Sequence, residues 1–486
     1  MMMLTPIASA GSLGLSEAEV EMIGVMRSQW AACLPGNVRR QKTYDQKDLF
    51  ADLKISTPPQ LRNLEAVLGW GAKTVDVVSD RISFEQFVIP GVDDDPYGLA
   101  DLVVENDFRV EFSQAVTSAL THSCSFGTVT QGFDGEPDTV WQVRSAMQAT
   151  GLWDRRKRGL KSAMTFETDD QGDIERAFVY FPDKSVEVTF SGGKMSATVM
   201  PNLTGRIPVE VFRVKPDLRR PFGRSRITPA VEYFIAGGVR TMVRSEIGAE
   251  FFAAPQRYGI GLDEEAFDMD KWNAVMGRFL AVSRDEEGEL PQLGQFSQHS
   301  MQPHVDHLRM WAAQLSGESS IPMNELGFVS DNPSSDAAIQ SQRDPLRLIA
   351  EKAIAGFQSA LRNLAVTSVM VRDGLRDVPD DLARVSAWFA PAFRISDSAA
   401  ADAALKQAQV LPWLAESPVF LEKLNFSAQE VERLLADKRR AGASSRVEQL
   451  VSAIRDRNVS AGVDDAQPAS QPASQLASQP ARARMS

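Results

Sequence analysis

A stiff corner followed at once by a four-residue recurrence dominates the middle of this chain. The corner is "PFGRSRITP", residues 221 to 229, and after it Val231, Ile235, Val239, Val243, Ile247 and Phe251 return at every fourth position. That spacing lines one face of a helix. Thr228 is the expected N-cap, and Pro229 suits the first helical position, where a missing N–H costs nothing. Pro255 closes the segment. The pattern predicts a helix from about 229 to Ala253, roughly 37 Å long. The Gly237-Gly238 pair inside it either weakens the helix or lets another element pack close. Gly223 permits a tight backbone turn. A rod of this length, aimed by a corner that carries Arg224 and Arg226, suits an architectural role, standing beside other copies of the same chain about a shared axis.

The rest of the chain is large enough to build around such a rod. Its 486 residues imply two to four structural units, and 43% hydrophobic with 24% charged residues describes a globular protein with a sizeable core. The net charge of −12 argues against a protein that grips nucleic acid over its whole surface. Cys33 and Cys124, the only cysteines, are too few for a disulfide framework and suit a reducing compartment as small buried hydrophobes. "MMMLTPIASAGSLG" has no basic stretch followed by an apolar one, and the longest uncharged window, "FSQAVTSALTHSCSFGTVTQGF", is too polar to span a bilayer. Assembly in the cytoplasm, with no membrane partner, is the expectation.

Helices are expected first. Ser16 with Glu19 forms a capping-box pattern ahead of Val20, Ile23, Met26 and Trp30. A second helix is expected over "LRNLEAVLGWGAKTVDVVSDRI", striped by Leu61, Leu64, Leu68, Val75, Val78 and Ile82, and a third over Leu99 to Leu120. From about residue 126 the period shortens, and "AFVYFPDKSVEVTFSGGKMSATVM" reads as an antiparallel meander with turns at "PDK" and "SGGK". "IPVEVFRV" (207–214) is a further strand. Beyond the long helix come a small mixed segment with acidic clusters "DEEAFDMD" and "RDEEGE", a shorter helix "PHVDHLRMWAAQL", and a loop rich in serine and proline. A long helix kinked at Pro345 follows. Helices return from about Ala399 to Leu411 and after the Ser427/Glu430 capping box, and the "PASQ" repeats from about 461 have the composition of a disordered tail.

Chemistry is sparse. "GWGAKT" (69–74) lacks the spacing of a phosphate-binding loop and lies within a helical stripe. His299, His304 and His307 are near neighbours, yet only the last two share a helical face and no Cys or Glu completes a metal motif. No histidine stands beside a nucleophile motif, so a triad hydrolase is not expected. The basic runs "RRKR" (155–158) and "KRR" (438–440) suit either an anionic partner or plain solvation, as the acidic clusters suit a basic partner or plain solvation. No catalytic residue, metal or cofactor is expected.

The order of these segments resembles the portal, or head–tail connector, proteins of tailed bacteriophages, in the branch common among phages of actinobacteria. "LRNLEAVLGWGAKTVDVVSDRISFEQF" is similar to the family's N-terminal wing helix and following strand, "PFGRSRI" with the helix to "AEFFAAPQRYGIG" to its first stem helix, and "IPMNELGFVSDNPSSDAAIQSQ" to the link between second stem helix and long wing helix. "KTYDQKDLF" departs from a Tyr-x-Gly pattern frequent in the family.

The resemblance implies an α+β portal fold: mainly helical, with a long stem helix pair, an antiparallel β meander in the wing and a small mixed clip domain. Mapped onto this chain, the wing takes 1–222, stem helix 1 takes 223–254, the clip 255–301, stem helix 2 302–317, the channel loop 318–334, the long wing helix and following segment 335–395, the crown 396–460, and the tail 461–486. It implies a structural, non-enzymatic protein: a dodecameric ring at one capsid vertex of the virion, the conduit for double-stranded DNA in packaging and ejection. Its partners are then copies of itself, the terminase large subunit, major capsid and scaffolding proteins, head–tail adaptor proteins, and DNA passing without sequence preference. Phe222, Gly223, Arg224, Arg226, Val239, Val243 and Ile247 become candidate stem or subunit contacts, with Arg224 and Arg226 bridging to acidic groups of a neighbour. Ser319, Ser320, Asn324, Glu325, Ser330, Asn332 and Ser334 become candidate channel-loop residues, in a loop with no Lys or Arg. Twelve copies at −12 would carry a charge on the order of −140, which keeps a polyanion from sticking. Two rivals stand beside this: another structural virion component, such as a minor capsid or neck protein, and a packaging enzyme, for which neither a phosphate loop nor a carboxylate cluster is present.

Overall fold

The computed structural model describes residues 15–47, 66–92, 95–168, 174–191, 194–253, 257–260, 292–295, 300–328, 336–393, 396–427, 430–431 and 433–442. Leu61, Leu64, both acidic clusters, His299, Ser330, Asn332, Ser334 and the "PASQ" repeats lie outside them. Two compact units divide the chain, residues 1–394 and 395–486.

The first unit opens with helix α1 (Glu17–Tyr44), whose capping box is complete: Ser16 N–H donates to Glu19 Oε2 at 2.7 Å, and Glu19 N–H donates back to Ser16 Oγ at 3.4 Å. Helix α2 (Trp70–Ser79) is shorter than its stripe suggested. Gly69, a poor helix residue, sits outside as the cap, and Leu68 lies ahead of the helix. Strand β1 (Phe84–Val88) follows. The single helix expected over Leu99 to Leu120 is two, α3 (Leu99–Glu105) and α4 (Phe108–His122). The break falls at Asn106, whose amide donates to Leu102 O (3.0 Å) and Thr139 O (2.9 Å) and whose Oδ1 accepts from Trp141 N (2.7 Å). Asp107 takes the left-handed conformation that this detour requires.

Strands β2 (Cys124–Gln131) and β3 (Thr139–Ser145) form a hairpin, and β4 (Ala149–Asp154), β5 (Gly159–Thr168), β6 (Ile174–Tyr180), β7 (Lys184–Ser191) and β8 (Lys194–Pro201) run as a five-stranded antiparallel meander. Its last three strands are those read from "AFVYF…SATVM". Strand β9 (Val209–Arg213) pairs with β2, placing Arg213 opposite Cys124 and Val209 opposite Thr128. Helix α1 lies on the meander, where Ile23 and Met26 pack with Phe166, Val179 and Val186. The Trp30 ring stands 4.7 Å from that of Phe166.

Helix α5 (Pro229–Ala253) starts where the corner predicts and is helical as far as the described residues run. Strands β10 (Arg257–Ile260) and β11 (Gln292–Gln295) pair antiparallel. Helices α6 (Gln302–Ser319) and α7 (Asp336–Asp373) follow, with Pro345 inside the latter, and strand β12 (Ser386–Phe389) returns to pair with β1. The architecture is α+β. Buried Leu346, Ala350, Ala353, Phe357, Leu361 and Leu364 recur at three and four residues along α7, which therefore turns one full stripe into the main core. At its centre the Phe112 ring has the rings of Phe84, Phe108, Phe212, Phe357 and Phe389 all within 5.9 Å, tying α4, β1, β9, α7 and β12 together.

One buried group makes this unit sensitive to acid. His122 is 2% exposed at the end of α4, and its Nε2 lies 2.9 Å from Gln41 Oε1 while Nδ1 has no hydrogen-bond partner among the described residues. Burial, reinforced by Arg40 and opposed by Asp45, pulls the imidazole from 6.5 down to about 4. The unfolded chain therefore binds the extra proton first, so stability is complete above pH 6.5 and falls between 6.5 and 4, by up to about 3 kcal/mol. Denaturant titrations should show a flatter decline across that window for His122→Gln than for the natural chain.

The second unit is a small helical cluster: α8 (Asp397–Val410), a short 3-10 turn (Pro412–Glu416) and α9 (Pro418–Lys423). Asn425 donates to Asp397 Oδ1 at 3.1 Å, and the Ser427/Glu430 capping box closes at 2.8 and 3.4 Å. Ala400, Ala404, Leu414 and Val431 are buried there.

Candidate assembly site at the helix corner

The corner is held by backbone on three sides. Arg224 N–H donates to Val214 O (2.8 Å), Val214 N–H to Ser123 O (3.0 Å), and Arg226 N–H to Leu120 O (2.8 Å). Ser225, buried, donates its hydroxyl to Thr121 O at 2.5 Å and accepts from Ile227 N at 2.9 Å. Gly223 has φ +82, and a Cβ there would overlap the Val214 carbonyl. Glycine is required on both counts. Phe222 fills the outer side, 6.2 Å from the Trp153 ring and 6.3 Å from that of Phe126. Thr228 caps α5 as expected, accepting from Val231 N at 3.3 Å, and also donates to Glu318 Oε1 at 3.2 Å.

The two arginines do different work, each within its own chain. Arg224 is exposed and grips Asp217 Oδ2 through Nε (2.9 Å) and a terminal nitrogen (2.6 Å), holding that carboxyl down at about 2. Arg226 turns inward. Its Nε donates to Thr74 O and a terminal nitrogen to Ser319 O, both at 2.8 Å. Burial pulls its guanidinium down to about 10, so it stays charged at neutral pH. Ser319 closes α6, and its carbonyl is one of the orphan acceptors at the negative end of that helix. One cation thus clamps the start of α5 to the end of α6 and the middle of α2. Two of the three guanidinium nitrogens of Arg226, expected from sequence to bridge to a neighbouring chain, are thus engaged inside the protomer.

Above the corner α5 and α6 run antiparallel. Thr228 meets Glu318, Gly237 faces Trp311, and Thr241 Oγ1 lies 3.2 Å from His307 Nδ1. The glycine pair serves close packing: a Cβ on Gly237 would meet the Trp311 ring at 2.6 Å, and one on Gly238 would meet Leu68 at 2.6 Å. Trp311 also meets Tyr233 edge to face (5.7 Å) and His307 at a tilt (5.5 Å). Val239 and Val243 are 1% and 5% exposed in the single chain, so this part of the stripe is buried by the protomer itself, whereas Ile247 is half-buried. The β10–β11 pairing continues the same antiparallel sense, Arg257 opposite Gln295.

Residues 319–326, the first half of the loop that the resemblance assigns to the channel, fold back onto α2. Ser319 is buried, Ser320 takes a left-handed φ of 58, and Asn324 and Glu325 belong to a 3-10 turn (Met323–Leu326). Glu325 faces Lys73 at 3.7 Å and Arg81 at 3.9 Å, and Ile321 and Leu326 are buried. "GWGAKT" therefore supplies a packing surface: Lys73 meets Glu325, and the Thr74 carbonyl receives Arg226. Sequence separates this helix from the corner by about 150 residues, and no local pattern links the two. Among the described residues no three His, Cys, Asp or Glu side chains come together to hold a metal ion, and no helix is long and apolar enough to cross a membrane. The described residues here form a corner, a clamp and a two-helix hairpin.

Over residues 34–443 the sequence matches the family described as phage portal protein, SPP1 Gp6-like. No curated protein matches it. Solved structures similar to it include a chain of the virion of a native gene transfer agent particle, 12% identical, with a TM-score of 0.41 over 77% of this chain and 88% of that one. The family match spans well over half of the 486 residues and takes in the corner, the α5–α6 hairpin and α7, so the chain belongs to the phage portal protein family of the SPP1 Gp6-like type.

Proposed function

We propose that this chain assembles into a closed ring, dodecameric as the family resemblance implies, at one capsid vertex of a virion, and that the ring conducts double-stranded DNA inward during packaging and outward during ejection. It docks the terminase large subunit first and the head–tail adaptors afterwards, with capsid and scaffolding proteins around it. Membership of the portal family over residues 34–443 carries this reading. In it α5 and α6 are the stem pair, the segment between them is the clip, the elements before the corner together with α7 are the wing, and residues 396–460 are the crown. The fold suits a stem because α5 and α6 are locked at one end by Arg226 and zipped along their length by Trp311 against Gly237. Capsids assembled without this chain should contain no DNA, and DNA-filled capsids that lack it would overturn the reading.

A conduit must not hold its cargo, since every neutralised phosphate adds salt-dependent affinity. Glu325 is occupied by Lys73 and Arg81, so its replacement would test the fold instead of the channel. Glu318 is exposed at the end of α6, and Asp331 lies outside the described residues. Replacing Glu318 and Asp331 together by lysine should slow DNA translocation roughly tenfold at low salt and less at high salt. Unchanged packaging rates in the double variant would remove the electrostatic part of the proposal.

A further inference from the structure

Strand β2 separates two exposed loops of opposite character. At its end the β2–β3 hairpin, "QGFDGEPD", presents Asp134, Glu136 and Asp138 around Phe133, which is 82% exposed. The turn is ordered by Glu136, whose carboxylate accepts the Phe133 N–H at 3.0 Å. Arg372 borders the same loop, but its guanidinium is taken by Asp373 (2.7 Å) and the Tyr97 carbonyl (2.7 Å).

At the start of β2 the character reverses. Cys124 pairs with Arg213, so the loop leaving β9 emerges at this opposite end, about 25 Å away along the strand. That loop carries the adjacent Arg219 and Arg220, both exposed, in a turn closed between Asp217 and Arg220, with Leu218 94% exposed beside them. The β4–β5 turn joins it, because Trp153 packs 6.2 Å from Phe222 and lies 4.2 Å beneath the Arg213 guanidinium. This second turn is "RRKR", residues 155–158, all exposed. Both loops use one device. Asp154 accepts the N–H groups of Arg156 and Lys157 (2.8 and 3.0 Å), and Asp217 those of Arg219 and Arg220 (2.8 and 2.7 Å). The basic side chains are thereby presented on fixed turns.

We propose that the acidic, Phe133-tipped hairpin of one copy docks on the basic double loop around Leu218 of the next copy. This contact rests on the ring reading above and supplies it with a head-to-tail interface. Oppositely charged surfaces at the two ends of β2, the basic one shared with the β4–β5 turn of the neighbouring sheet, give the complementary pair that a heterologous contact uses, and such contacts close into rings when the rotation permits. Two exposed apolar tips distinguish this partner from DNA, whose phosphates offer a leucine nothing to fill. Charges at such a rim fix register and partner choice more than affinity.

The test uses the full chain. One variant reverses the acidic end (Asp134→Arg, Glu136→Arg, Asp138→Arg), and another the basic end (Arg155→Glu, Arg156→Glu, Arg219→Glu, Arg220→Glu). Circular dichroism first establishes that both fold. Each variant alone should assemble at least tenfold more weakly by analytical ultracentrifugation, and an equimolar mixture should recover assembly, with the two chains alternating by native mass spectrometry. Normal assembly of either variant, or failure of the mixture, would overturn the docking proposal while leaving the ring intact in the natural chain. Loss of affinity for a 30-base-pair duplex by the basic-end variant, with normal assembly, would reassign that end to nucleic acid. A natural chain that never assembles overturns both this contact and the ring.

Discussion

Gly223→Ala should destabilise the first unit by roughly 3–5 kcal/mol. Two costs combine. At φ +82 an L-residue is strained by about 1–2 kcal/mol, and the new methyl overlaps the Val214 carbonyl. That carbonyl cannot retreat freely, because it accepts the Arg224 N–H while its own residue donates to Ser123. Relief would have to come from moving the foot of α5, which the Arg226 clamp opposes. Denaturant unfolding of the variant against the natural chain measures the loss, and a change below about 1 kcal/mol, the size of an ordinary surface substitution, would show that the corner is not rigid.

Arg226→Ala comes next in size. It leaves Thr74 O and Ser319 O without their 2.8 Å charged donor, and a hydrogen bond from a charged group contributes about 1.5–3 kcal/mol. Removing a buried guanidinium also lifts a desolvation penalty, so the net loss should be about 3 kcal/mol. Arg226→Lys should recover less than half of it, since one ammonium does not reproduce a planar fork that reaches two carbonyls on different helices. The signature is local: amide exchange in the last turn of α6 and the first turn of α5 should accelerate while the five-stranded meander stays protected. Arg224→Ala, by contrast, removes an exposed pair with Asp217 and should cost under 1 kcal/mol. Equal effects from the two arginines would show that the clamp is misassigned.

How much of this was legible in the sequence follows from the range of the interactions involved. The start of helix α5 and its course as far as Ala253 were legible because the signals are local: Thr228 and Pro229 at the start, then a four-residue stripe. The β6–β8 meander and both capping boxes were legible for the same reason. The break between α3 and α4 was not, because Asn106 interrupts the helix to bind Thr139 and Trp141, more than thirty residues away. Nor was the inward turn of Arg226, whose partners stand 152 and 93 residues off and are backbone carbonyls that no side-chain pattern marks. The stripe read as a surface for other copies hides Val239 and Val243 inside its own protomer, since periodicity shows which face is buried and says nothing of what buries it. The glycine pair was read with two outcomes open, and the Trp311 ring against Gly237 selects close packing.

Electron microscopy of the purified full chain, read together with its native mass, tests the central claim most directly. Closed rings with a central hole wide enough for a double helix, and α5–α6 hairpins arrayed about that axis, are the predicted result. Single chains at every concentration, or open filaments without a hole, would contradict it.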